Sequence, residues 1–139
     1  MSENKKEYYF DHEKLHVYQK ALTFIHFSHR ILSRIQYKLE IKDQLDRASI
    51  SILLNIAEGN GKFSSKDRCR FFDISMGSTL ESAACFDILY VKKLINDDEK
   101  KTGKEMLNEI VAMLIGLIKS NSDRVYEENE NYQINNSHS

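Results

Sequence analysis

Proline and tryptophan are missing from the chain, and only five of its 139 residues are glycine. Without proline, nothing in the covalent chain forbids long helices. A strand-rich fold of this size needs more turn residues than these, so an all-α class is expected. Long apolar runs are also missing. No segment approaches the roughly 20 apolar residues that a membrane-spanning helix requires. Residues 1–10 are polar and charged, without the apolar stretch of a secretory leader. A cytoplasmic location is therefore expected. Cysteine is scarce: Cys69 and Cys85 fall on one expected helix, about 24 Å apart by helical rise, beyond disulfide reach. They read as free thiols of a reducing compartment.

A strong charge of either sign is lacking as well. The net charge is −1. Residues 1–70 hold 13 Lys and Arg against 9 Asp and Glu, while residues 71–139 hold 7 against 12. The chain is mildly basic in its first half and acidic toward its end. It does not carry the large basic excess common in dedicated nucleic-acid-binding domains, but a local basic patch is allowed.

What remains is helical periodicity. The chain reads as a flexible segment over 1–10, an antiparallel up-and-down four-helix bundle over 11–119 and a disordered polar tail over 120–139. The first helix is expected from Asp11, a candidate N-cap, to about Tyr37. Leu15, Tyr18, Leu22, Ile25 and Leu32 form one stripe on it, and Val17, Ala21, Phe24, Ile31 and Ile35 a neighbouring one. A second helix is expected from Lys42 to Glu58. Leu45, Ala48, Ile52 and Ile56 line one side, while Ile50, Leu53, Leu54 and Ala57 line another. A helix apolar nearly all round must be covered nearly all round. A second protein surface does this most simply, so self-association is expected.

Gly59 stands where a left-handed glycine ends a helix, and Gly61 permits a second unusual backbone angle. Ser64 or Ser65 then caps a third helix running to about Ile95. Phe72, Met76, Leu80, Ala83, Phe86 and Tyr90 keep its period. Gly77 and Ser78 in its middle suggest a close approach to another helix. A fourth helix is expected over about Asp98 to Lys119, with acids in its first turn to suit the helix dipole. Short linkers make neighbouring helices antiparallel.

Catalytic patterns are thin. A di-iron bundle needs two Glu-x-x-His pairs, and only Glu13 to His16 has that spacing. His26 and His29 share a helix face without a matching acid. Cys69, between Arg68 and Arg70, reads as a packing residue. The stretch Gly59-Asn60-Gly61-Lys62 lacks the spacing and the Ser or Thr of a phosphate-binding loop. No enzyme activity, metal or cofactor is expected. Two constellations stand out instead. Arg47, Lys62, Lys66, Arg68 and Arg70 are candidate contacts to an RNA or DNA backbone, helped by free N–H groups at the start of the third helix. Arg47, Asn55, Glu58, Ser78 and Glu81 are candidates for a buried polar network that fixes helix register, with Gly59, Gly61 and Gly77 as structural glycines beside it.

Longer motifs carry a resemblance. Gln44-Leu45-Asp46-Arg47-Ala48-Ser49-Ile50-Ser51-Ile52, then Asn55-Ile56-Ala57-Glu58-Gly59-Asn60-Gly61-Lys62, Arg70-Phe71-Phe72 and Gly77-Ser78-Thr79-Leu80-Glu81 resemble the four-helix bundle family of the 23S rRNA-intervening-sequence protein. Val17-Tyr18-Gln19-Lys20-Ala21 fits as well. The resemblance implies a homopentamer of up-and-down bundles. It also implies kinship with the accessory proteins of diversity-generating retroelements, which partner a reverse transcriptase and bind nucleic acid through a basic surface. The expected function is thus a non-enzymatic homo-oligomeric bundle that binds RNA or DNA. The alternative is an assembly protein that holds a protein partner such as a reverse transcriptase without touching nucleic acid.

Overall fold

The structure is a computed structural model that describes residues 7–36 and 40–137, with side chains as far as Ser122. A short 3-10 helix, Asp11–Lys14, precedes four α-helices: α1 (His16–Ser33), α2 (Glu40–Asn60), α3 (Ser65–Val91) and α4 (Asp97–Ser137). Each long helix packs on two others, in the pairs α1–α2, α2–α3, α3–α4 and α1–α4. The section of the antiparallel bundle is therefore a square, with the α2–α3 side opposite the α1–α4 side.

The core follows the sequence closely on three helices. Val17, Ala21, Phe24, Ile31 and Leu32 of α1 are buried, as are Leu45, Ala48, Ile52 and Ile56 of α2 and Leu107, Ile110 and Leu114 of α4. On α1 the second of the two expected stripes is the buried one, and Leu22 lies in the open. α3 departs from its expected pattern. Leu80 and Tyr90 are exposed, and the buried face alternates Phe72, Phe86 and Leu89 with Ser75, Ser78, Thr79 and Ser82. The hydroxyls are satisfied inside. Ser75 Oγ donates to the Ile52 carbonyl across the α2–α3 contact at 2.8 Å. Thr79 and Ser82 donate to carbonyls one turn back, at 2.8 and 2.9 Å, so no buried donor is stranded.

Two glycines set how near the neighbours of α3 come. A Cβ on Gly59 would fall 2.9 Å from Phe72 Cε1 and 3.0 Å from Phe71 Cβ. A Cβ on Gly103 would fall 2.7 Å from both Cδ1 and Cζ of Phe86. Phe86 also meets Phe24 and Phe27, with ring centroids 5.8 and 6.2 Å apart. Gly59 is thus not the left-handed end of α2. It lies inside the helix, and no glycine among the described residues has positive φ. The expected close approach at Gly77 is absent: the residue is exposed, and nothing lies within 4 Å of the Cβ it lacks.

The helix ends show which local bonds stop the chain. Asp11 is not an N-cap. It accepts a hydrogen bond from Asn60 at 3.0 Å, while Glu13 accepts from the backbone N–H groups of Tyr9 and Phe10 at 2.7 and 3.2 Å. Extended Leu15 separates this turn from α1. α1 stops at Ser33, before the expected Tyr37, because Arg34 and Ile35 donate to carbonyls three residues back. Lys42 Nζ then takes the Ile35 carbonyl at 2.8 Å.

α3 ends at Val91, before the expected Ile95. Lys93 adopts φ 60°, Lys93 N–H donates to Tyr90 O at 3.0 Å and Leu94 N–H to Leu89 O at 2.9 Å. This is a Schellman turn with lysine in the usual glycine place. Asn96 and Glu99 cap α4 reciprocally: Asn96 Oδ1 accepts from Glu99 N at 2.8 Å, and Glu99 Oε1 accepts from Asn96 N at 3.0 Å. Arg34 reaches across to Glu99 Oε1 at 2.6 Å and to the Leu94 carbonyl at 3.1 Å. Its guanidinium holds the Glu99 carboxyl below the ordinary carboxylate range. α4 passes Lys119 and stays helical through Ser137, where a disordered tail was expected. Apolar residues thin out there, but neither glycine nor proline follows Gly116, so nothing interrupts the backbone ladder. The first six residues of the expected flexible segment lie outside the described residues.

Two substitutions test this geometry. Gly103→Ala adds helix propensity worth about 1 kcal/mol but overpacks Phe86, and is expected to lower unfolding free energy by about 1–3 kcal/mol. Lys93→Gly removes a left-handed lysine, and is expected to raise stability by about 1 kcal/mol. Urea unfolding at fixed protein concentration measures both.

Candidate interaction surfaces

The α2–α3 connection begins where α2 runs out of hydrogen-bond partners. Gly61 N–H donates to Glu58 O at 3.1 Å and Lys62 N–H to Gly59 O at 3.2 Å. Arg68, one turn into α3, folds back over this end. Its Nε donates to Lys62 O at 2.8 Å and its terminal nitrogen to Asn60 O at 3.0 Å. Ser64 caps α3 by accepting from Asp67 N–H at 3.1 Å. The loop is therefore tied at both ends, and it holds Phe63 with 106% relative exposure.

The five basic candidates separate into four groups. Arg68 is committed to the Asn60 and Lys62 carbonyls. Lys62 is half-buried, with its ammonium 4.9 Å from the centre of the Phe71 ring. Lys66 and Arg70, one turn apart on α3, are both exposed. Arg47 is also exposed, but it lies roughly 20 Å back along α2. The structure thus gathers Lys62, Lys66, Arg68 and Arg70 at one end of the bundle and leaves Arg47 outside that group.

The expected polar network breaks into two small bridges. Asn55 Nδ2 donates to the Ser51 carbonyl at 2.8 Å and to Ser51 Oγ at 3.1 Å. Ser51 Oγ meets Ser78 Oγ at 2.8 Å. Nearer the start of α2, Gln44 donates to Glu81, and Arg47 touches Gln44 Oε1 at 3.5 Å. Ser78 is buried, Asn55 and Ser51 are half-buried, and Arg47, Glu58 and Glu81 are exposed. Glu58 is hydrogen-bonded to neither bridge. Ser51 and Gln44 are the connecting residues that the sequence reading missed. Their signal was there: Ser51 lies four residues from both Arg47 and Asn55, and Gln44 three residues from Arg47, each one helical turn from an expected member.

A larger surface lies outward from these bridges. Ile50 and Leu54 of α2 are 40% and 55% exposed, and Ile74, Leu80, Ile88 and Val91 of α3 are exposed too. The sequence reading found the α2 part. It missed the α3 part because it assigned the apolar period to the core, where serine and threonine stand instead.

Nucleophile and metal candidates sit elsewhere. Cys85 is buried against α3's neighbours, and burial pushes its thiol up to about 11, with Glu81 adding to the shift. It stays protonated at neutral pH. Cys69 Sγ lies 3.6 Å from the Ile118 carbonyl and 3.7 Å from Ser122 Oγ on α4. His26 and His29 are exposed, and His29 meets Ser33. Among the described residues no three His, Cys, Asp or Glu side chains form a group able to hold a metal ion. No helix among them is long and apolar enough to cross a membrane. The division of the basic residues has a measurable consequence. Arg68→Ala should lower unfolding free energy by about 1–2 kcal/mol because two buried-end carbonyls lose a charged donor. Lys66→Ala and Arg70→Ala should stay within about 0.5 kcal/mol. Thermal unfolding of the three variants separates these outcomes.

No curated protein matches the chain. A crystal structure of a protein of unknown function from the S23 ribosomal protein family of Bacteroides thetaiotaomicron superposes with a TM-score of 0.70 at 23% identity. The match covers 74% of this chain and 95% of that one, and at such identity it speaks to the fold alone. The sequence profile of the 23S rRNA-intervening sequence protein family matches residues 13–116. That span takes in the whole of α1, α2 and α3 and α4 as far as Gly116, and the chain belongs to this family.

Proposed function

We propose that the protein is a non-enzymatic helical module that works as a homo-oligomer, joined through the outer side of α2 and α3. The observation that carries this reading is the patterning of α3, with hydroxyl residues inward and isoleucine, leucine and valine outward. Burying Ser75, Ser78, Thr79 and Ser82 while exposing Ile74, Leu80, Ile88 and Val91 is unfavourable for a lone bundle in water. It is favourable once a second surface covers the outward side. With Ile50 and Leu54 of α2, six aliphatic side chains stand open on these two helices. The resemblance to the family supplies the stoichiometry of the proposal, a homopentamer. The free thiols Cys69 and Cys85 support a cytoplasmic setting.

A second reading adds nucleic acid. Phe63 in the loop and Lys66 and Arg70 on α3 are all exposed at the same end of the bundle, which suits phosphate contacts beside a stacking ring. RNA or DNA held this way must dissociate steeply as salt rises.

Sedimentation equilibrium of the full chain tests the main reading. A mass several times 16.3 kDa is expected, falling toward one chain for Leu54→Glu and Ile74→Glu. A single-chain mass at micromolar concentration removes the proposal. Gel shifts over a salt series test the second reading. An oligomer with no shift even at low salt leaves an assembly protein whose partner is another protein, such as a reverse transcriptase.

A further inference from the structure

On the side of the bundle opposite α2 and α3, the start of α1 and the middle of α4 border an open apolar groove. Leu15, His16, Val17, Met113, Gly116 and Leu117 line it, and its volume is about 280 Å³. The groove is open because Gly116 has no side chain: nothing lies within 4 Å of the Cβ it lacks. A cavity of about 150 Å³ with apolar walls already accommodates a benzene ring. The chain also holds an apolar ring with no cover of its own. Phe63 projects from the α2–α3 loop at 106% relative exposure, from a loop that Arg68 and Ser64 tie down on both sides.

We infer that Phe63 of one copy seats in the α1–α4 groove of the next copy, so that subunits join through unlike surfaces. This rests on the self-association reading and adds which parts of the two copies meet. The square packing of the helices puts ring and groove on opposite sides, so a copy cannot fill its own groove with its own Phe63. Both lie in the same half of the bundle, where α1 begins and α2 ends, and Cys69 of α3 marks the level of Ile118 and Ser122 on α4. Charge fits as well. Lys62 and Lys66 flank Phe63 in sequence, while residues 123–130 of α4, beyond the groove, hold four acids against one Arg. A contact between unlike surfaces repeats from copy to copy and closes into a ring when its rotation allows.

The test uses the full-length chain. Phe63→Ser and Gly116→Leu change positions that touch nothing in the lone bundle, so both variants should keep the wild-type far-ultraviolet circular dichroism. Each should weaken association by about tenfold or more, the loss expected for a buried aromatic anchor. Phe63→Cys and Gly116→Cys are then combined in a Cys69→Ser background and oxidised. Covalent ladders on a non-reducing gel are expected from the double variant. A mixture of the two single variants should give dimers only. An oligomeric wild type whose mass neither variant changes, or a Phe63→Cys single variant that oxidises to dimers by itself, overturns the inference and leaves self-association standing. A monomeric wild type removes both.

Discussion

Phe72 and Phe86 stand 14 residues apart on α3, four turns along nearly the same side, and each ring rests where the facing helix carries glycine. Gly59 of α2 receives the first and Gly103 of α4 the second. An α-carbon without a side chain lets a helix axis approach an aromatic ring by the depth of one methyl group. Between the two seats, Ser75, Ser78, Thr79 and Ser82 fill the inward side of α3. They are small enough for that approach; Ser75, Thr79 and Ser82 close their hydroxyls on nearby carbonyls, and Ser78 pairs with Ser51 Oγ. The rotation of α3 about its own axis is therefore fixed twice, and interiors at crystal-like density permit little slack.

That rotation decides what faces outward. With its rings and hydroxyls turned in, α3 turns Ile74, Leu80, Ile88 and Val91 out. The same packing ties the α2–α3 loop, since Arg68 closes α2 only while α3 keeps its place. The proposed subunit contacts are thus a consequence of the core and not a separate feature. Polar groups between the helices, Asn55, Ser51 and Ser78 among them, set register at the boundary between the core and the outer side.

Most of the fold was legible in the sequence because α1, α2 and α4 follow ordinary helical periodicity. The second apolar side of α2 was legible too, and it pointed to a covered surface. α3 was misread for a physical reason. A period search follows hydrophobicity, and here small hydroxyl residues occupy the core while larger apolar residues lie outside. Gly59 was misread because a helix-stopping glycine and a close-packing glycine look alike until the facing ring is known. Lys93 gives no sign in sequence of its left-handed backbone. The polar end of α4 has too few apolar residues to announce a helix, although nothing in it breaks one. Among the candidate basic residues, charge alone could not reveal that Arg68 would be taken up by backbone carbonyls.

A double-mutant cycle at Gly103 and Phe86 tests most directly whether the ring-on-glycine seats hold α3. Urea unfolding of the wild type, Gly103→Ala, Phe86→Leu and the double variant, at one protein concentration, yields the coupling between the two sites. The seat predicts that alanine at 103 is harmful beside phenylalanine and nearly neutral or helpful beside leucine, with a coupling of about 1–3 kcal/mol. Additive effects, with Gly103→Ala equally harmful in both backgrounds, would contradict it.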